Sequence, residues 1–136
     1  MALIKAVTAK KGTDSKGDET IIAIVTLESG KSGTASPPPS FFNGISEVER
    51  NDLVTKSIKA INELLSDKIV SLDSFQQARI DNELMSANDL DKESVLAKIS
   101  VLTVSLANAR AAANEKNIPL YEHIASLSRS HIKIRD

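Results

Sequence analysis

The first quarter of the chain alternates short apolar segments with turn-forming residues, a pattern typical of β-strands. Residues 2–10 read ALIKAVTAK and are followed by a Lys-Gly step. Residues 20–27 read TIIAIVTL, and β-branched side chains of this kind favour extended backbone. A tight turn over residues 28–31 leads into a weaker strand at residues 32–35. The pattern predicts a three-stranded antiparallel meander.

A proline-rich segment follows the last predicted strand. Residues 36–44 read SPPPSFFNG. Three consecutive prolines fix φ and remove backbone donors, so they disfavour both helix and strand pairing. We expect an extended polyproline-type loop with Phe41 and Phe42 at an apolar tip.

Beyond this loop, apolar side chains recur at the spacing of amphipathic helices. The first helix is expected over about residues 52–66. A second is expected over residues 75–85, with Asp73 or Ser74 available as its N-cap.

Two further helices complete the predicted order. Residues from about 91 to 116 are apolar on most faces, so they should form the central buried helix. Pro119 suits the first turn of a last helix over residues 120–127. The polar residues 128–136 are expected to be a tail outside the domain, which would span residues 1–127. A β-meander followed by about four helices is an α+β fold.

Composition and charge exclude several classes of function. The 136 residues suffice for one domain with its own core, and 17 basic against 18 acidic residues give a net charge of −1. This balance gives no electrostatic reason to expect nucleic acid or an anionic membrane as a partner. The absence of cysteine excludes disulfides and Cys-ligated zinc. We see neither a signal peptide nor a membrane-spanning segment, and expect a cytoplasmic protein.

The strongest sequence signal lies at residues 104–127, which read VSLANARAAANEKNIPLYEHIASL. They closely resemble the end of the N-terminal domain of enolase (phosphopyruvate hydratase), with its V-S-L-A helix and its A-A-A-x-E-K-x-x-P-L-Y-x-H-I-A-x-L motif. Ile80-Asp81 and Leu84-Met85 match the I-D-x-x-L-M segment of this family. Residues 14–20, DSKGDET, resemble its D-S-R-G-N-P-T turn. The resemblance implies a three-stranded meander followed by about four helices.

The resemblance also implies where the chemistry of the family lies. In enolases the magnesium-binding carboxylates, the general-base lysine and the general-acid glutamate belong to a C-terminal (β/α)₈ barrel. Such a barrel needs roughly 250 residues, so this chain does not contain one. We therefore expect no cofactor for the chain on its own, and magnesium only where a barrel chain completes the site. The chain is not expected to be an enzyme by itself.

The N-terminal domain of enolases contributes a mobile lid, S-G-A-S-T-G, whose first serine helps to bind the second magnesium. The corresponding stretch here is residues 36–41, SPPPSF, which places Ser36 at the metal-binding position and Ser40 second. Prolines stand where the lid has hinge glycines, so we expect that the function of the lid is lost.

Other candidate residues have a structural interpretation that outweighs a catalytic one. His123 belongs to the P-L-Y-x-H segment, where the family uses this residue in helix packing, and His131 lies in the polar tail. The acidic residues Asp89, Asp91 and Glu93 lack the glycine and the spacing of a calcium loop, and they suit the N-terminal end of a helix.

Two functions agree with these observations. The first is a non-catalytic structural or interaction module of a larger assembly, and the loop residues expected to contact its partner are Pro37, Pro38, Pro39, Phe41 and Phe42. The second is the capping subunit of a divided enolase that works with a separate barrel chain. Either function requires a protein partner, because the face that packs on the barrel would otherwise leave apolar surface exposed. That the chain is a fragment of a longer enolase stays open.

Overall fold

The computed structural model describes residues 1–87, 91 and 94–135, with residues 128–135 as backbone only. Its sheet contains strands β1 (Ile4–Thr13), β2 (Glu19–Leu27) and β3 (Ser32–Ala35). All neighbours are antiparallel and the spatial order is β1-β2-β3, so the predicted meander is confirmed. Alternate residues of β2 are buried, which places one face of the sheet against the helices.

Helical segments make up most of the remaining chain. They are α1 (Glu47–Ala60), a π-helical turn (Ile61–Leu65), α2 (Ser66–Ile69), α3 (Gln77–Met85), α4 (Val95–Glu115) and α5 (Leu120–Arg135). The first three are continuous and correspond to the first predicted helix, so the chain follows the predicted order of a meander and four helical segments. The predicted α+β fold is confirmed.

Helix α4 is the central element, as its apolar composition predicts. It packs on β2 and β3 and also touches α1, α3 and α5. By length and composition alone α4 is apolar enough to cross a membrane, contrary to the expectation from sequence. Its contacts with the sheet and three helices account for this composition, since a core helix needs apolar side chains on most faces.

Gly33 brings β3 unusually close to α4. A Cβ atom added at Gly33 would overlap backbone atoms of Ala107 and Ala111, at distances far shorter than van der Waals contact. Because helix backbone cannot move aside as a flexible side chain can, only glycine fits at this point of contact.

Asn62 closes part of the free edge of β1. Its side-chain Nδ2 donates to the carbonyl of Ala9 at 3.1 Å, and its Oδ1 accepts from the Ala9 N–H at 2.8 Å. The amide therefore pairs with the strand as a neighbouring strand would, and covers an edge that is otherwise open to association. Asn62 lies in the π-helical turn, whose wider backbone interrupts the α-helical repeat at this position.

The ends of three helices differ from the predictions. Helix α3 begins at Gln77 without a side-chain cap, because Asp73 Oδ1 accepts from the N–H of Phe75 and Ser74 is buried. Helix α4 is capped by Ser94, whose Oγ accepts from the Ala97 N–H at 3.1 Å, and not by the acidic residues before it. Of those residues, Asp89 and Glu93 lie outside the described part of the chain.

Helix α5 does not end at Leu127 as predicted. Its backbone remains helical to Arg135, so the described part of the expected polar tail continues the last helix. Residues 128–135 contain no glycine or proline that would stop a helix.

Candidate functional site

The proline-rich segment at the position of the lid is built into the domain. Residues 39–42 form one turn of 3₁₀-helix with proline in its first turn, which corrects the expectation of a fully extended loop. The N–H groups of Phe41 and Asn43 donate to the carbonyls of Pro38 and Ser40, at 3.1 and 3.2 Å. Ser46, two residues after the segment, caps α1, because its Oγ accepts from the Glu49 N–H.

The side chains of this segment divide between core and surface. Pro37 is buried and Phe42 is only 4% exposed, whereas Pro38 and Pro39 are exposed and Phe41 is half-buried. Phe42 belongs to the hydrophobic core and Pro37 is buried, so neither side chain is accessible to a partner in this conformation. Contact of a partner with Pro38, Pro39 and Phe41 stays a prediction.

Arg50 of α1 fixes Phe42 in place. Its guanidinium carbon lies 4.1 Å from the centre of the Phe42 ring, a cation–π contact. Its Nε donates to the carbonyl of Glu19 at 2.8 Å, and its Nη2 pairs with Asp14 Oδ2 at 3.1 Å. One side chain therefore joins the proline-rich segment to the β1–β2 turn.

Asp14 stabilises the β1–β2 turn through hydrogen bonds to its backbone. Its Oδ1 accepts from the backbone N–H groups of Lys16 and Asp18, at 2.9 and 3.0 Å. The hydrogen bond from Asp18, with smaller contributions from Lys16 and the positive charge of Arg50, lowers the pKa of the Asp14 carboxyl below its ordinary value. Asp14 therefore stays ionised and available to Arg50 at neutral pH, and the D-S-K-G turn has a structural role.

Ser36 does not lie in a metal centre formed by the domain itself. Ser36 is half-buried and lies at the start of the proline-rich segment. Within the described residues, no group of three or more His, Asp or Glu side chains is arranged to hold a metal ion. Magnesium binding through Ser36 would need ligands from a barrel chain, and it stays a prediction.

Two of the three sequence blocks that carry the resemblance meet in a polar network between α3 and α4. Ser105 Oγ donates to Asp81 Oδ1 at 2.6 Å, and Gln77 Nε2 donates to the same oxygen at 3.0 Å. The amide of Gln77 in turn accepts from Asn108 Nδ2 at 2.8 Å, and Asn108 Oδ1 accepts from Ser74 Oγ at 2.7 Å. These bonds fix how α3 lies on α4, so the motif residues Asp81 and Ser105 stabilise the fold.

His123 is fully buried where α5 packs against the end of α4. Its Nδ1 lies 3.1 Å from Lys116 Nζ, and within the described residues its Nε2 has no hydrogen-bond partner. Lys116 also lies over the ring of Phe75, 5.0 Å from its centre. These contacts agree with a packing role, while the side chain of His131 lies outside the described residues.

We expect the stability of the domain to fall as the pH drops below about 6.5, the ordinary pKa of histidine. Burial, and then the positive charge of Lys116, lower the pKa of His123 in the folded state. Below 6.5 the unfolded chain therefore binds a proton that the folded chain does not, and unfolding is favoured by up to about 1.4 kcal/mol per pH unit. Urea denaturation of the wild type and of His123→Gln between pH 7.5 and 5.5 measures this, and equal slopes for both proteins would contradict it.

Sequence reasoning missed Arg50 and Asn108 as organising residues. Arg50 followed a predicted loop and gave no sign of its distant partners. Asn108 did leave a signal, because it is an amide within the apolar helix α4, and a buried amide must be paired.

Comparison with models of known protein families gives a match that covers well over half of the chain. Residues 4–124 match the model described as "Enolase, N-terminal domain". The matched range includes all three strands, the proline-rich segment and the start of α5.

Proposed function

This chain belongs to the family of enolase N-terminal domains, and we propose that it acts as a non-catalytic structural or interaction module of a larger assembly. By itself the domain would need no cofactor. The cytoplasmic location expected from the sequence stays a prediction.

The fixed conformation of the proline-rich segment carries this proposal. A lid must move between open and closed states, and hinges take up the change in φ and ψ. Here prolines fix φ at positions 37–39, Pro37 and Phe42 are buried, and Arg50 joins Phe42 to the β1–β2 turn. To open, the segment would have to withdraw Phe42 from the core, which costs about 2 kcal/mol or more for an aromatic side chain.

A second candidate is the capping subunit of a divided enolase. The observation that favours it is the packing of two family motifs against each other, since Ser105 of α4 donates to Asp81 of α3 at 2.6 Å. A domain that retains this packing could still dock on a barrel. The two candidates differ in one respect, because only the divided enolase requires a working lid.

Complementation with a barrel separates the two candidates. The full chain is mixed with the isolated C-terminal barrel of an active enolase, and dehydration of 2-phosphoglycerate is measured with and without magnesium. We expect no activity above that of the barrel alone, because the segment at residues 36–41 cannot close over the substrate. The N-terminal domain of the same active enolase serves as the positive control.

A variant of this chain that carries the enolase lid is the matched control for the wild-type chain. Residues 36–41 are replaced by the S-G-A-S-T-G lid, and association with the barrel is followed by size-exclusion chromatography. Activity of the graft with an inactive wild type would show that the proline-rich segment alone abolishes the lid, as proposed. Magnesium-dependent activity of the wild-type chain with the barrel would contradict the proposal and establish a divided enolase.

A further inference from the structure

An exposed asparagine–glycine pair ends the proline-rich segment. Asn43 is the one asparagine of the sequence that is followed directly by glycine, Gly44, and both residues are exposed. The N–H of Ile45 donates to the carbonyl of Phe42 at 3.2 Å and closes a turn around the pair. Asn43 has φ −61° and ψ 133°, and Gly44 has φ +78°, so the turn is of type II.

The two groups of this pair that could react with each other are both free in the folded chain. Within the described residues, neither the side-chain amide of Asn43 nor the N–H of Gly44 has a hydrogen-bond partner. The hydrogen bond that closes a β-turn does not use the N–H of its third residue, which explains why that of Gly44 is unengaged. A Cβ atom at Gly44 would meet nothing within 4 Å, so the peptide nitrogen is not shielded from this side.

The chemistry available to this pair is deamidation, one source of the thermal lability of asparagine. The Gly44 nitrogen loses its proton to base and forms a bond to Cγ of Asn43, and the bond from Cγ to Nδ2 breaks. Nδ2 takes up a proton and departs as ammonia, which leaves a five-membered succinimide ring. Water then opens the ring at either carbonyl and gives aspartate or isoaspartate. One water is consumed and one ammonia is released overall.

We propose that Asn43 is a site of spontaneous deamidation in the folded chain, an inference that does not depend on the proposed function. The turn slows the reaction, because ring closure needs the Gly44 nitrogen to eclipse Cβ of Asn43. The ψ angle of 133° holds the nitrogen well away from that position. Rotation about ψ breaks the hydrogen bond that closes the turn, so the folded chain should react about two- to tenfold more slowly than an unstructured peptide.

The modification changes the connection between the proline-rich segment and α1. Both products place a new carboxylate three residues before Ser46, the N-cap of α1. Isoaspartate also adds one CH₂ group to the backbone between Phe42, which belongs to the core, and this helix. The turn of residues 42–45 cannot close in the same way around the longer backbone.

Asn117 is the matched comparison within the same chain. It is also exposed and lies in a turn, with φ 58°. It precedes Ile118, whose β-branched side chain crowds the peptide nitrogen and whose N–H donates to the carbonyl of Ala113 at 3.0 Å. Ring closure at Asn117 is therefore hindered by the bulk of Ile118 and by the loss of a hydrogen bond.

Mass spectrometry of the full chain after incubation in warm, mildly alkaline buffer measures the reaction. Deamidation replaces NH₂ with OH, a mass change that peptide mapping assigns to one residue, and fragmentation by electron transfer distinguishes isoaspartate from aspartate. The peptide SFFNGISE, residues 40–47, is the unstructured reference. The product at Asn43 should accumulate about two- to tenfold more slowly in the chain than in the peptide, with none at Asn117 over the same time.

Two variants assign the product to this pair. Asn43→Gln should abolish it, since attack on the longer side chain forms a six-membered ring much more slowly. Asn117→Gln should leave the rate at Asn43 unchanged, and circular dichroism verifies that both variants are folded. An unmodified Asn43 in the chain while the peptide reacts, or equal accumulation at Asn43 and Asn117, would overturn the proposal. A chain that reacts as fast as the peptide would overturn the restraint by the turn.

Discussion

Gly33→Ala is expected to destroy the native packing of the domain. The added methyl group would overlap with the backbone at Ala107 and Ala111, and neither strand β3 nor helix α4 can move without breaking other contacts. Overpacking against a rigid neighbour costs more than the usual core substitution, so we expect a loss of about 3 kcal/mol or more in the free energy of unfolding. For a domain of this size, such a loss leaves little of the native stability.

Urea denaturation followed by circular dichroism measures this loss. Thr34→Ala is the matched control, since Thr34 is the next residue of β3 and its side chain is exposed. The control should change the free energy of unfolding by less than about 0.5 kcal/mol. A Gly33→Ala protein as stable as this control would show that β3 does not approach α4 as closely as described.

Asn108→Ala is the second substitution with a large expected effect. Asn108 is fully buried, and its Nδ2 donates to the carbonyl of Ser74 and to Gln77 Oε1, at 3.1 and 2.8 Å. Its Oδ1 accepts from Ser74 Oγ. Truncation removes the Asn108 amide as the partner of the buried carbonyl and hydroxyl of Ser74, and a buried group left unpaired costs about 1–3 kcal/mol. We expect a total loss of about 3 kcal/mol in the free energy of unfolding.

Asn114→Ala provides the comparison within the same helix. Asn114 also donates to a backbone carbonyl, that of Ser32 at 2.6 Å, but this hydrogen bond is exposed and water can replace the lost donor. Its removal should cost less than about 1 kcal/mol. Equal losses for the two variants would mean that burial of the α3–α4 network adds nothing to stability.

The sequence predicted those parts of the fold that depend on local pattern. The β-branched run of β2 and the apolar repeat of α4 each determine one element, and both lie close to their predicted positions. The motif shared with enolases implies the same order of elements that the periodicity predicts independently. The element types were therefore predictable because neighbouring residues decide them.

The features that the sequence did not predict depend on residues far apart in the chain. Arg50 joins Phe42, Glu19 and Asp14, and Asn62 pairs with Ala9 across 53 positions of sequence. No local pattern encodes such a partner. The end of α5 was misjudged for a different reason, because polar composition was taken as the end of a helix although polar residues also cover exposed helix faces.

In the candidate site, too, the sequence predicts local features and misses contacts between distant residues. The presence of prolines in the segment at the lid position is visible in the sequence, and it predicts a stiff segment. The burial of Phe42 beneath Arg50 is not visible in the sequence. It changes the interpretation of Phe42 from the apolar tip of a loop to a part of the core.

Whether the segment at residues 36–44 is fixed can be measured directly by ¹⁵N relaxation and relaxation dispersion on the full chain. The N–H groups of Ser36, Ser40, Phe41, Phe42 and Gly44 report on it. A segment built into the core should give order parameters near 0.85, like the strands, and no exchange on the microsecond to millisecond timescale. Order parameters below about 0.6, or dispersion confined to these residues, would show a mobile lid and contradict a non-catalytic module.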